Sequence, residues 1–107
     1  MTHTIRSFTT FAVAAAFACA TVFAQSSGEG LYKQRCLSCH GPNGLASSGI
    51  GRIMKVKPVT DPEVLKLTEP QMIQMVRVGI GKMQPYKGDL TVAQIKGSVD
   101  YFRTFMR

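Results

Sequence analysis

Two cysteines and a histidine stand within five consecutive residues of this chain, in the run Cys36-Leu37-Ser38-Cys39-His40. At this spacing each thiol can form a thioether with one of the two vinyl groups of a haem. The histidine that follows the second thiol can then bind the iron as an axial ligand. Cys-x-x-Cys-His is the pattern of c-type haem attachment. The run therefore predicts one haem c, bound covalently through Cys36 and Cys39, with His40 as an iron ligand.

Two other kinds of site use the same residue types. A thiol–disulfide oxidoreductase also carries Cys-x-x-Cys, but its fold places a central sheet near the motif, and this chain has helix and loop patterns there. A structural zinc site needs four ligands, whereas the motif supplies two cysteines and one histidine. The residue pattern therefore favours haem attachment over both alternatives.

The N-terminal residues have the pattern of a secretory signal peptide. Residues 1–6 carry one positive charge and no acid, residues 8–23 are mostly apolar, and Val22-Phe23-Ala24 suits a signal peptidase. We expect cleavage after Ala24, which leaves residues 25–107 as one mono-haem domain in the periplasm. The apolar run is shorter than the ~20 residues that span a bilayer. No stable membrane insertion is expected after cleavage, and a retained N-terminal anchor is the alternative.

The chain is basic, with a net charge of +7. Its basic residues are scattered and form no continuous run, so an exported protein of this kind is not expected to bind nucleic acid. A basic surface attracts an acidic partner and mainly raises the rate of association. We expect a monomer whose redox protein partners present an acidic docking face. Arg52, Lys55 and Lys57 are expected to form a solvated basic loop, and neutralisation of the haem propionates is the alternative.

The rest of the chain has the pattern of an all-α fold, with short helices and hardly any strand signal. Two capping boxes, in which a threonine and the glutamine three residues later bond each other's backbone amides, open helices at Thr68 and Thr91. Residues 41–51 and 79–85 are rich in glycine and contain proline, and both predict loops. About four short helices are expected around one covalently bound haem, at residues 31–39, from Asp61, from Thr68 to Gly79 and from Thr91 onwards.

A sixth iron ligand is also available. His3 belongs to the signal peptide, so methionine is the remaining common ligand. Met83 stands in a glycine-rich loop shortly before Pro85, where the backbone can lie against a flat ring, and it is the predicted ligand. Tyr86 is expected to pack over the haem edge, with a hydrogen bond towards the methionine sulfur as the alternative. The other methionines lie on a predicted helix, where core filling is expected, in a charged loop or at the chain end (Met72, Met75, Met54 and Met106).

Taken in order, these segments resemble the class I c-type cytochromes, especially small bacterial mono-haem members. The likeness covers nearly all of the chain after residue 24, and it implies a cytochrome c-like fold. It also implies that the first helix, through Gly28 and Tyr32, crosses the last helix at Tyr101. The matching runs are Gly28 and Tyr32, Cys36 to Gly41, Gly81-Lys82-Met83-Gln84-Pro85-Tyr86, Leu90-Thr91 and Val99-Asp100-Tyr101-Phe102.

The chain departs from the family pattern at two places. The family usually has proline directly after the ligand methionine, whereas Gln84 stands between Met83 and Pro85 here. The family also often has a proline about a dozen residues after the histidine, whose carbonyl orients the imidazole ring. No proline lies at that place in this chain, so the group that orients His40 is left open.

Ligation by both His40 and Met83 closes the iron to substrates. We therefore expect an electron-transfer protein that cycles between ferrous and ferric iron, and not an enzyme. Two alternatives remain. One is a dedicated electron-donating subunit of a larger oxidoreductase, which the sequence cannot separate from a diffusible carrier. The other is a haem peroxidase or gas binder, which needs an open iron site in place of Met83.

Overall fold

The computed structural model describes residues 27–106. The predicted signal peptide, residues 1–24, lies outside this part of the chain. The described residues form six helices and no β-strand, apart from an isolated antiparallel bridge between Ile80 and Met83. The prediction of an all-α fold is confirmed, and none of these helices has the length and apolar character needed to cross a membrane. The helices are α1 (Gly28–Arg35), α2 (Leu37–His40), α3 (Gly49–Ile53), α4 (Pro62–Leu65), α5 (Glu69–Val78) and α6 (Val92–Arg103).

The helix starts predicted from capping residues are confirmed. The Thr68 hydroxyl accepts a hydrogen bond from the Gln71 N–H (3.4 Å), and the Gln71 side chain accepts one from the Thr68 N–H (2.9 Å). Thr91 and Gln94 make the same pair of bonds at the start of α6. Asp61 caps α4. These caps use partners within three residues, so they satisfy the first orphan amides of each helix without help from the rest of the fold.

The single helix predicted at residues 31–39 is two helices in the structure. α1 begins earlier, after Ser27, whose hydroxyl accepts a hydrogen bond from the Gly30 N–H (3.0 Å). The chain turns at Cys36, where the Cys39 N–H bonds the Cys36 carbonyl (3.2 Å) instead of continuing the α1 ladder to Arg35. The carbonyl of Arg35 is thereby left for a partner outside the helix.

The loop predicted at residues 41–51 extends only as far as Ser48, because a short helix, α3, follows. The Ser48 hydroxyl accepts a hydrogen bond from the Gly51 N–H (3.0 Å) and caps this helix. Met54, expected in a charged loop, is instead the C-terminal cap of α3. The glycines of this segment indicated a loop, and the reason for the helix is tertiary: Gly51 packs against the backbone of α2, where a Cβ would lie 2.5 Å from the Cys39 carbonyl oxygen.

Helix α6 packs against both α1 and α5. At the crossing with α1, the rings of Tyr32 and Tyr101 lie 5.2 Å apart and Gly28 faces the backbone of Gly97. The predicted crossing of the first and last helices is confirmed. The core between α1, α5 and α6 consists of Leu31, Met72, Tyr86, Leu90, Ile95 and Val99.

Candidate functional site

One large cavity, of about 930 Å³, opens beside this core. Its volume lies at the upper end of the range of about 300–1,000 Å³ that is typical of small-molecule and cofactor sites. Most of its lining is apolar, and it is shared between α1, α2, residues 54–57, α4, α5, residues 80–84 and α6. Cys36, Cys39, His40 and Met83 all line it. The structure therefore brings together the four residues that the sequence nominated as haem-binding.

The two cysteines lie on and beside the single turn of α2, and both are partly buried free thiols. Burial, together with the neighbouring Cys39, raises the pKa of the Cys36 thiol to about 11. The Cys36 thiol is therefore protonated at neutral pH. This is the opposite of the lowered thiol pKa that a thiol–disulfide oxidoreductase uses to attack its substrate.

The position of α2 is set by bonds to the segment that follows it. A helix of one turn is not stable alone, because forming the first turn costs more conformational entropy than its bonds return. Here the Ala46 N–H donates a hydrogen bond to the His40 carbonyl (2.9 Å), and the Ser48 hydroxyl donates one to the Ser38 carbonyl (2.8 Å). These bonds occupy carbonyls at the end of α2 that have no partner within the helix.

Tyr32 of α1 holds the chain directly after His40. Its phenol is almost fully buried, its pKa is raised by that burial, and its hydroxyl donates a hydrogen bond to the Gly41 carbonyl (2.5 Å). Tyr32 also packs against Tyr101 and Phe102 of α6. The α1–α6 crossing is thus connected to the position of His40 by one buried hydrogen bond.

The side chain of His40 is half-buried, and burial lowers its pKa, so the neutral ring predominates at pH 7. The neutral ring is the form that binds metals. Its Nδ1 atom is buried and has no hydrogen-bond partner among the described residues. Phe102 contacts the ring edge-on, with the ring centroids 5.5 Å apart. The carbonyl that would orient this ring, left open by the sequence, is not provided by residues 27–106 in this conformation.

Met83 lies in the segment between α5 and α6, called here the Met83 loop (residues 79–86). Gly79 ends α5 with φ +77°, as predicted, and a Cβ there would lie 2.6 Å from the Met83 carbonyl oxygen. Ile80 and Met83 then exchange two backbone hydrogen bonds, of 3.2 and 2.9 Å. Only glycine suits this tight, left-handed approach, so the backbone of Met83 is closely held against the end of α5.

Three further methionines line the same cavity: Met54, Met72 and Met75. Met72 belongs to the core, as predicted, and its sulfur lies 3.9 Å from the Arg103 guanidinium, which donates to it. Met54 reaches the cavity because α3 carries it there, a placement that the sequence did not indicate. No local pattern indicates it, because it depends on where α3 lies against α2.

The cavity lining also carries four basic side chains and one acidic side chain, which form a set called here the basic rim: Arg35, Lys55, Lys57 and Lys82, with Glu63. Lys57 and Glu63 form an ion pair. Lys55 adopts a left-handed backbone conformation, with φ +54°, after the end of α3. The lining of the site is therefore apolar, with an excess of positive charge among its polar members.

The sequence profile of the family described as cytochrome c oxidase, cbb3-type, subunit III matches residues 23–102. The chain belongs to this family of c-type cytochromes. Among solved structures, the cytochrome is similar to the KustC0563 c-type cytochrome, with a TM-score of 0.69 and 29% identity over 76% of this chain and 99% of that chain. A tyrosine-to-phenylalanine mutant of Kustc0563 gives a TM-score of 0.66 and 28% identity, over 74% of this chain and 98% of that chain. The cytochrome c-like fold is thereby confirmed.

A further likeness concerns the fold alone. A chain of the Kuenenia stuttgartiensis reducing HAO-like protein complex Kustc0457/Kustc0458 gives a TM-score of 0.61 and 23% identity, over 73% of this chain and 40% of that chain. No curated protein matches the sequence of the cytochrome significantly.

Membership of this family implies covalently bound haem c, and the site of the cytochrome fits such a group. The cavity is large and mainly apolar, as a porphyrin requires. Cys36 and Cys39 are free thiols at its wall, and His40, whose neutral ring is the form that binds metals, lines the same cavity. Met83 adds a soft thioether, a ligand type that suits haem iron.

Proposed function

We propose that this cytochrome carries single electrons between redox partners, with one haem attached through Cys36 and Cys39 and its iron bound by His40 and Met83. The observation that carries the proposal is that these four side chains line one cavity, although Met83 lies far from the others in sequence. When bound, the haem supplies a one-electron iron couple, and its potential is raised by a methionine ligand relative to a second histidine.

The protein's own contribution to electron transfer is to hold the ligands still. His40 is fixed through the bonds that support α2, and Met83 is fixed through the closed turn after Gly79. If His40 and Met83 both bind the iron, no coordination site remains for a substrate. Because both residues are held by the surrounding backbone, a change of oxidation state would require little rearrangement of the protein. The high pKa of Cys36 argues separately against thiol exchange as the function.

The ligation is tested by absorption spectra of the matured holoprotein in oxidised and reduced forms. The oxidised wild type is expected to show the far-red sulfur-to-iron band, and Met83→Ala is expected to abolish it because the only thioether on the iron is removed. Met83→Ala is also expected to lower the reduction potential. The band should persist in Met75→Ala and Met72→Ala, the matched controls on α5 that line the same cavity.

Persistence of the band in Met83→Ala would move the sixth ligand to another methionine of the cavity. Ready binding of carbon monoxide to the wild-type ferrous protein would contradict a closed iron site. In that case an open-site peroxidase or gas binder would be the better description.

A second candidate function has the same haem but a different assembly. In it, the protein is a dedicated electron-donating subunit of a larger oxidoreductase. The description of the matching family, as a subunit of a cytochrome c oxidase, favours it. The two candidates differ in how the native protein migrates. A free carrier elutes from a sizing column at the mass of one small domain, whereas a subunit co-elutes with its enzyme in mild detergent. Co-elution at stoichiometric amounts would replace the free-carrier proposal.

We also propose that partners dock at the basic rim through an acidic face. The rim has four basic side chains against one acidic side chain, and residues 25–107 carry 12 lysines and arginines against 6 acidic residues. Oxidation of the ferrous protein by an anionic reagent such as hexacyanoferrate should slow by roughly tenfold as salt rises from about 10 mM to about 500 mM, because salt screens the attraction.

The double variant Lys55→Gln with Lys82→Gln is expected to flatten this salt dependence. Its matched control is Lys33→Gln with Lys96→Gln, which removes the same charge from ion-paired lysines on α1 and α6 that do not line the cavity. If both double variants reduced the salt dependence of the oxidation rate equally, the net charge of the protein would cause it, and not the basic rim.

Export to the periplasm, with cleavage after Ala24, is the last part of the proposal. It rests on the charge and apolar pattern of residues 1–24. The mass of the protein recovered from a periplasmic extract is expected to match residues 25–107 with one haem. An intact N-terminus on a membrane-bound product would favour the retained anchor instead.

A further inference from the structure

The Met83 loop (residues 79–86) is attached mainly to α5. Ile80 and Met83 bond each other, the Tyr86 N–H donates to the Val76 carbonyl (3.0 Å), and the Lys87 N–H donates to the Arg77 carbonyl (3.1 Å). These bonds join the loop to itself, or join Tyr86 and the residue directly after the loop to the last turn of α5. None of them reaches α2, which carries His40 on another part of the cavity wall.

One hydrogen bond does connect the two sides. The Tyr86 hydroxyl donates to the Arg35 carbonyl (3.1 Å), which lies directly before Cys36. Within residues 27–106, no other hydrogen bond runs between the Met83 loop and residues 35–40. The acceptor is the carbonyl that the turn at Cys36 leaves without its usual helical partner, since Cys39 bonds Cys36 instead.

The ring that carries this hydroxyl is packed in the core, and the bond itself is partly shielded from solvent. Tyr86 is 8% exposed and belongs to the core cluster with Leu31 of α1. Its ring also lines the cavity. When the loop opens, water replaces the Arg35 carbonyl as the partner of the hydroxyl, so the closed arrangement is favoured by about the net contribution of one ordinary hydrogen bond.

We infer that Tyr86 is a positioning residue, which holds the Met83 loop to the end of α1 and so fixes Met83 relative to Cys36 and His40. This inference rests on the proposed function, because it concerns the ligand role of Met83. A phenylalanine at this position would keep the packing of the ring and remove only the connection between the two sides. The loop would then open more often while the rest of the fold stayed closed, since local openings can occur well below the free energy of global unfolding.

The experiment uses imidazole as a probe that binds ferric iron only when Met83 leaves it. The apparent affinity of the matured holoprotein for imidazole is measured from the change in the main haem absorption band of the ferric protein. Loss of the far-red sulfur-to-iron band is the additional check in the variants that keep Met83. In Tyr86→Phe it is expected to rise roughly three- to tenfold, the equivalent of one ordinary hydrogen bond. The amides of Ile80 and Met83, which close the loop, are expected to exchange with solvent deuterium faster by a similar factor.

The matched control is Tyr101→Phe. The Tyr101 hydroxyl lies 3.4 Å from Glu29 at the α1–α6 crossing, away from the Met83 loop. The affinity of Tyr101→Phe for imidazole should equal that of the wild type, even if this variant unfolds at a lower denaturant concentration. An affinity for imidazole in Tyr86→Phe within twofold of the wild type, or an equal rise in Tyr101→Phe, would overturn the positioning role.

The same data separate this inference from the proposed function. If Met83 is not the ligand, Met83→Ala binds imidazole no more tightly than the wild type does, and both proposals fall. If only the inference is wrong, Met83→Ala binds imidazole far more tightly while Tyr86→Phe behaves as the wild type.

Discussion

Replacement of both cysteines, Cys36→Ser with Cys39→Ser, is expected to leave the chain without a stable fold. The reason is the size of the cavity relative to the domain. Without the haem, the mainly apolar side chains around a space of about 930 Å³ lose the group against which they pack and face water instead. A domain is stable by only about 5–15 kcal/mol, so a small domain has little reserve against such a loss.

The measurement is far-UV circular dichroism of the secreted double variant, after extraction of any haem held without a covalent bond. The helical signal is expected to fall to less than half that of the wild-type holoprotein, with no cooperative transition in urea. Ser38→Ala, which changes the exposed residue between the thiols, is the control and should remain coloured and folded. A colourless double variant with wild-type helicity and a cooperative transition would contradict the central role of the haem.

The helix starts could be predicted from sequence because their causes are local. The capping boxes at Thr68 and Thr91 each involve two residues three apart, and the structure contains both. Helix α3 could not be predicted in this way. Its glycines disfavour a helix, and they are tolerated because Gly51 packs against α2, a contact that no local pattern encodes.

The residues of the site also differ in whether their placement has a local or a tertiary cause. Cys36, Cys39 and His40 can be nominated from the sequence because the whole motif lies within five consecutive residues, and all three line the cavity. Met83 is predicted because it alone among the methionines after residue 24 stands in a glycine-rich loop shortly before a proline, and the structure places it at the cavity together with three others. The hydrogen bond from Tyr86 to Arg35 joins residues 51 positions apart and depends on the turn at Cys36, so no local sequence pattern predicts it.

Substitution of Gly28 by alanine is expected to destabilise the holoprotein by about 3 kcal/mol, at the upper end of the cost of overpacking. A Cβ on Gly28 would lie 2.1 Å from the Gly97 carbonyl oxygen and 2.5 Å from the Gly97 carbonyl carbon. Both atoms belong to the backbone of α6 and cannot rotate away, so α1 must move as a whole. For a domain of this size the melting temperature should fall by roughly 15 °C.

The matched control is the other glycine of the same contact. A Cβ on Gly97 would lie 3.4 Å from the Gly28 Cα, an ordinary van der Waals distance. Gly97 is inside α6, where alanine is favoured over glycine by up to about 1 kcal/mol, so Gly97→Ala is expected to be neutral or slightly stabilising. Urea unfolding of both holoproteins, followed by circular dichroism, checks the pair. Equal effects of the two substitutions would mean that α1 and α6 cross at a larger distance than the structure has it.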